Sequence, residues 1–242
     1  KYKATVQYLG TGYHGWQKQL NCTTVQEVIE SKLSRLAGES IKVVGASRTD
    51  AGVHAKGQVA HFLLTKNDSV PVLKKAVNAI LPSDIRITLL RQVAPSFHSQ
   101  RQARRKRYVY QILHCVVFPP FLCHRAIHVG HSLDLGLLNR AASLVLGTHD
   151  FSGFAASSTT VRNRVRSLSV SNFKKSGAHF IYRVEADGFL HHMVRNIVGT
   201  LLEVSIGKLE VEVVPEILRC KDRSMAGPTA PAEGLYLVRI WY

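Results

Sequence analysis

Thr24-Val25-Gln26-Glu27-Val28-Ile29-Glu30-Ser31-Lys32-Leu33-Ser34-Arg35-Leu36-Ala37-Gly38 is the stretch on which the fold turns. Val25, Val28, Ile29, Leu33 and Leu36 recur at the helical period. Thr24 and Glu27 form a capping box at the start, and Gly38 is a natural C-terminal stop. Working outward, residues 2–9 are a β-rich run before this helix, and residues 41–44 and 58–64 read as strands after it. A helix opened by Pro71 runs to Leu81, where Pro82 ends it, and a strand follows over residues 85–93. The order β-α-β-β-α-β is that of a ferredoxin-like unit, an antiparallel sheet with both helices on one face. It then returns: strand 107–114, helix 133–146, strands 165–173 and 180–186, helix 190–205, an added helix 211–220 and a last strand 235–241. The expectation is an α+β chain of two ferredoxin-like, RNP-like halves. One spans residues 1–100 and the other 101–242, with the boundary in the connector 95–105. No sequence repeat accompanies the repeated order.

The 242 residues carry 32 Lys+Arg against 16 Asp+Glu, a formal net charge of +16. A domain so basic repels itself unless a polyanion or salt screens it, which makes a nucleic acid the leading partner. The charge is clustered. Eight cations and no acid lie between Asp84 and Asp134, including Arg104-Arg105-Lys106-Arg107, and six more lie between Asp150 and Glu185. Because phosphate contacts dominate nucleic-acid affinity, residues 104–107 are the expected backbone contacts, although part of the run reads equally as a solvated strand entrance. No apolar run approaches the ~18 residues of a membrane span, and residues 1–6 read as folded chain, so no membrane partner is expected. Cys22, Cys115, Cys123 and Cys220 have no C-x-x-C spacing and read as reduced thiols of a cytoplasmic protein. His124, His128 and His131 lack an acidic ligand nearby, and no H-E-x-x-H occurs, so no metal is expected.

Gly10-Thr11-Gly12-Tyr13-His14-Gly15 fits the G-x-G-x-x-G pattern of dinucleotide sites. Such a turn must open directly into a helix that receives the pyrophosphate, yet residues 16–23 intervene before the capping box. It reads as a glycine-rich bend. Ser47-Arg48-Thr49-Asp50-Ala51-Gly52-Val53-His54 lies between two β-runs, where a loop lifts polar groups out of a sheet. Asp50 is the one acid between Glu39 and Asp68, and beside Arg48 it stays ionised and nucleophilic. The other reading of the same residues is an Asx-type turn through Asp50 or Thr49.

These segments belong to a longer colinear set. Gly15-Trp16-Gln17, Arg48-Thr49-Asp50-Ala51-Gly52-Val53-His54, Gly57-Gln58-Val59, Phe97-His98, Tyr108-Val109-Tyr110, Gly147-Thr148-His149-Asp150-Phe151, Gly188-Phe189-Leu190-His191-His192-Met193-Val194-Arg195-Asn196 and Gly234-Leu235 together resemble the TruA family, the tRNA pseudouridine(38–40) synthases. The resemblance implies the pseudouridine synthase fold with its active-site cleft between the halves, a cofactor-free isomerisation of uridine in the anticodon arm of tRNA, and a homodimer. It implies that Asp50 is the catalytic carboxylate and that Arg48 helps displace the target base. Tyr108 is implied to stack on the uracil, Arg195 to pair with the carboxylate, and Leu235 to line the pocket. Two positions depart from the family pattern: Ser47 where glycine is common, and Gln100 where an arginine is common.

The chemistry fits the composition. Turning uridine into its C-linked isomer breaks one glycosidic bond and makes another, with no redox change. A carboxylate serves it either by covalent attack or by taking a sugar proton. The base must leave its stack, which calls for an aromatic platform and an inserted cation. A non-catalytic RNA-binding sheet is the competing reading, since a basic α+β scaffold with β-face aromatics also describes such modules.

Overall fold

The structure, a computed structural model, describes residues 1–65 and 69–242. Its elements run β1 (Tyr2–Tyr8), α1 (Val25–Ala37), β2 (Val44–Gly45), β3 (His54–Phe62), α2 (Val70–Ile80), β4 (Ile85–Gln92), β5 (Arg105–His114), β6 (Ile127–Val129), α3 (Leu135–Ser143), β7 (Gly147–Asp150), β8 (Val165–Ser176), β9 (His179–Ala186), α4 (Met193–Ser205), α5 (Val213–Cys220) and β10 (Leu235–Trp241). The class is α+β, as expected. Among the described residues no helix is long and apolar enough to cross a membrane. Two compact units divide the chain: Lys1–Arg104 with Tyr236–Tyr242, and Arg105–Leu235.

In the first unit β1 pairs antiparallel with β3 and β4, and β2 antiparallel with β3. Tyr2, Ala4, Val6 and Tyr8 alternate inward along β1 as a half-buried strand requires. α1 is capped as its sequence predicts: the Thr24 side chain accepts from Glu27 N, and Gly38 is left-handed at φ +71°. Its Val25, Ile29 and Leu33 are buried, as are Leu73 and Val77 of α2. The strand expected at residues 41–44 is instead the two-residue β2, because α1 takes over the backbone ahead of it. Ser34 Oγ accepts from Ile41 N, Glu30 Oε1 accepts from Val43 N, and Gln26 donates to Val43 O. With those groups already satisfied, the segment lies along the helix and not in the sheet.

The C-terminal strand departs from its expected place in the second half. Tyr236 and Leu237 pair parallel with His54 and Ala55 of β3. Trp241 O accepts from Arg104 N, and Tyr242 donates its hydroxyl to Ser99 O while Lys3 stands over its ring. These bonds tie residues 236–242 to the unit that begins at Lys1.

The second unit is a β5-β9-β8-β7 antiparallel sheet, with the short β6 running parallel to β5. β6 and β7 have only three and four residues, too few to show a period. α3 starts two residues later than its apolar pattern, since the Asp134 side chain caps it by accepting from Leu137 N, and it ends at Ser143. It docks on β8 through Asn139, whose amide brackets both Phe173 N and Phe173 O. α4 starts at Met193, because His192 at φ +60° leaves the helical conformation.

Candidate active site

The expected site residues divide between the units. Arg48, Asp50 and Arg104 stand in the first; Arg105, Lys106, Arg107, Tyr108, Arg195 and Leu235 stand in the second.

In the first unit the loop between β2 and β3 is shaped by main-chain bonds. Val53 N donates to Asp50 O at 3.2 Å, closing a turn in which Gly52 takes φ +79°. Asp50 begins this turn and is half-buried, while Arg48 is exposed. The glycine-rich bend is the loop's support. Trp16 N donates to Thr49 O, Gly52 N to Tyr13 O, and Gly10 N to Nδ1 of His54. A Cβ on Gly15, already at φ +85°, would stand 2.4 Å from Thr49 O, and one on Gly10 would stand 2.1 Å from Val53 O. The glycines therefore let two loop backbones touch. Around this contact Trp16 is 1% exposed against Gly45, Tyr13 donates to Asp84, and Thr49 Oγ1 meets the Tyr8 hydroxyl at 2.8 Å. His54 stacks on Tyr236 at 4.6 Å, so the last residue of the motif couples the loop to β10. Ser47 is held from both sides by the buried Gln58 amide. Its departure from glycine introduces no positive φ.

In the second unit Tyr108 is buried on β5, and Phe189 meets it edge-on at 5.0 Å. Tyr110, two residues on, is fully buried and donates to Pro231 O; its ring lies where a Cβ on Gly234 would be. Burial pushes the Tyr110 hydroxyl well above the ordinary phenol range and keeps it a donor. Lys106 shares that face of the strand, and burial together with the Arg166 charge brings its ammonium down to about 8.

One face of α4 holds the loop before Leu235. Arg195 donates through Nε to Ala230 O at 2.7 Å, and Ala230 N donates back to Arg195 O. Asn196, fully buried, donates to Phe154 O and accepts from Thr229 and Arg223. Thr200 accepts from Gly227 N. Gly199 admits the loop itself, since a Cβ there would lie 1.7 Å from Pro228 O. Leu235, 5% exposed, leaves this loop as the first residue of β10. Asn196, Gly199 and Thr200 were not singled out as site-building residues, although their spacing on one helix face was visible.

The basic run is split by strand alternation. Arg105 and Arg107 share one face and reach Glu185 of β9, at 3.4 and 2.8 Å, where Arg183 joins them. Lys106 points to the other face. In the sequence, Glu185 is the first acid after six cations, and only the strand register shows which cations it meets.

A model of a family described as tRNA pseudouridine synthase matches residues 4–101 and 141–242. The tRNA pseudouridine synthase A of Acetivibrio thermocellus is 45% identical over 240 residues, covering 99% of this chain and 98% of that protein. That of Thermoanaerobacter sp. is 43% identical, covering 98% and 97% of the two chains. That of Streptococcus mutans is 41% identical, covering 100% and 98%.

Proposed function

We propose that this chain, which belongs to the tRNA pseudouridine synthase family, isomerises uridine to pseudouridine in the anticodon arm of tRNA at positions 38, 39 and 40. The observation that carries the reading is the R-T-D-A-G-V-H loop, Arg48 to His54, with Asp50 at the start of a turn that the glycine bend holds in place. A carboxylate set in a pre-formed loop meets the geometric demand of catalysis, because its position is not reorganised at the moment of reaction.

Asp50 acts as the catalytic carboxylate. In the reaction the C1′–N1 bond breaks, the uracil turns, and C1′ bonds to C5, whose proton moves to the freed nitrogen by way of base or solvent. Atoms and electrons balance without a co-substrate. Covalent attack on the nucleoside and removal of a sugar proton both use the same carboxylate. Arg48, exposed at the mouth of the loop, displaces the base from its stack; Tyr108 supplies the aromatic face for the uracil, Leu235 an apolar wall, and Arg195 a cation. Residues 104–107 contact the RNA backbone. The protein works as a homodimer in the cytoplasm, with tRNA as its partner.

The test is pseudouridine formation in an unmodified tRNA transcript, mapped by nucleotide, for wild type and Asp50→Asn, with RNA binding measured in parallel. Asn keeps the shape and removes the charge. Product in the anticodon arm from wild type, lowered at least about 10³-fold in a variant that still binds, is the expected outcome. Equal activity in both would remove Asp50 from the mechanism. Binding without product in either would favour an RNA-binding module.

A further inference from the structure

The open face of the second unit's sheet holds a charge arrangement that no bond-making or bond-breaking step of the isomerisation uses. Register sets it out. Arg107 stands opposite Glu185, Val109 opposite Arg183, and Arg183 opposite Asn172, so the three strands present these side chains to one side. The other side carries Tyr108, Tyr110, Tyr182 and Val184 and is buried. α3 docks there, since Ser171 on that side bonds the Ala142 carbonyl as well as the Tyr182 hydroxyl.

Glu185 is the one acid on the open face formed by β5, β9 and residues 170–176 of β8, against Arg105, Arg107, Arg183 and Lys174. Its side chain is 1% exposed and binds three guanidiniums: Arg107 through Nε at 2.8 Å, Arg183 through Nε at 3.0 Å and again through its terminal nitrogen, and Arg105 at 3.4 Å. Burial alone would raise this carboxyl, but the bonds from Arg183 and Arg107 outweigh it and hold it below the ordinary carboxylate range. One cation suffices to neutralise one carboxylate. The side chains of the three arginines stay 45%, 25% and 38% exposed for Arg105, Arg107 and Arg183. Like charges gathered around one carboxylate repel, so a single ion pair would serve stability as well. Guanidiniums held in place with exposed edges suit a second anion of phosphate geometry.

We infer that Arg105, Arg107 and Arg183, oriented by the buried Glu185 carboxylate, form a phosphodiester-binding platform that grips the backbone of the RNA substrate. This rests on the reading of RNA as substrate and adds to it. Arg183 joins the backbone contacts, Glu185 becomes a positioning residue, and Lys106, on the opposite face, does not belong to the platform.

The experiment measures tRNA affinity of the full chain across a salt series for wild type, Arg183→Gln, Arg105→Gln, Glu185→Gln and Lys75→Gln. Loss of one phosphate contact flattens the log–log salt slope by about 0.7–0.9, which at 0.1 M salt is about a sixfold loss of affinity. Arg183→Gln and Arg105→Gln are expected to show it. Lys75→Gln removes the same charge from the exposed face of α2 in the other unit and is expected to leave the slope in place. Glu185→Gln decides the positioning role by sign: added net positive charge would tighten binding if charge alone counted, whereas loss of the orienting carboxylate weakens it. Arginine variants with wild-type affinity and slope would overturn the platform, as would a tighter Glu185→Gln. If melting shows Glu185→Gln to be unfolded, the two exposed arginine variants carry the test. Turnover is scored separately. A wild type that binds with this salt profile but makes no pseudouridine would sink the isomerase reading and leave the platform standing; an active wild type with unaltered variants would sink the platform alone.

Discussion

The Asp50 loop of the first unit and the α4-held loop at residues 226–231 of the second are both irregular chain carrying or flanking proposed site residues, yet they are built by different means. The Asp50 loop leans on another backbone: Trp16 N, Tyr13 O and Gly10 N bond to it or to its flank, and glycines at 10 and 15 permit the approach. The second loop is held mainly by side chains of one helix, Arg195, Asn196 and Thr200, with Gly199 making room. Main-chain bonding ties position to local conformation and tolerates many side chains. Side-chain bonding tolerates other loop conformations but depends on each polar group, because a buried partner left unsatisfied costs the full desolvation penalty of that group.

That contrast makes ordered predictions. Gly15→Ala should cost the most, about 3 kcal/mol or more, since it adds a Cβ clash to a left-handed φ. Urea denaturation reads the loss, and a stable, fully active Gly15→Ala would show that the bend does not shape the Asp50 loop. Asn196→Ala should cost about 2–3 kcal/mol by orphaning Phe154 O and the Thr229 and Arg223 donors.

His61 gives a pH handle on the first unit. It is buried, its Nδ1 accepts from Ser99 N, and burial with His98 and Lys1 nearby lowers it to about 4. Its folded value lies below its unfolded one, near 6.5, so the unfolded chain binds the proton first. Its contribution is present above pH 6.5 and is lost as pH falls toward 4, on the order of 2 kcal/mol. Melting temperature against pH checks this, and His61→Gln should flatten the profile in that window. The smallest effect belongs to Thr49→Val, about 1 kcal/mol, because it removes one side-chain bond, to Tyr8, from a loop held by its main chain. Equal losses for Thr49→Val and Asn196→Ala would erase the difference between the two loops.

Legibility followed the range of the interactions. α1 could be read to the residue because its period, capping box and left-handed glycine lie within fifteen positions. Asp50 stood out as a lone acid in a basic stretch, and the motif carrying it was visible whole. The sequence reads residues 10–15 as a glycine-rich bend, but the bend's service to the Asp50 loop is not visible there, since nothing local says that Gly15 will meet Thr49. The strand expected at residues 41–44 failed for the same reason. Its apolar residues are buried, as Ile41 and Val43 show, while its hydrogen bonds go to side chains of α1.

By itself, then, the sequence determined the α+β class and the order of the longer elements, favoured a polyanion partner through its charge, and marked Asp50 as a lone acid in a basic stretch. Each rests on composition or on patterns shorter than one element. Tertiary structure alone decided that the last strand lies beside β3, that Arg105 and Arg107 part from Lys106, and that Glu185 gathers three arginines. Those outcomes depend on strand pairing and register between residues up to about 180 positions apart. A one-residue shift in either would turn the same side chains to the opposite face.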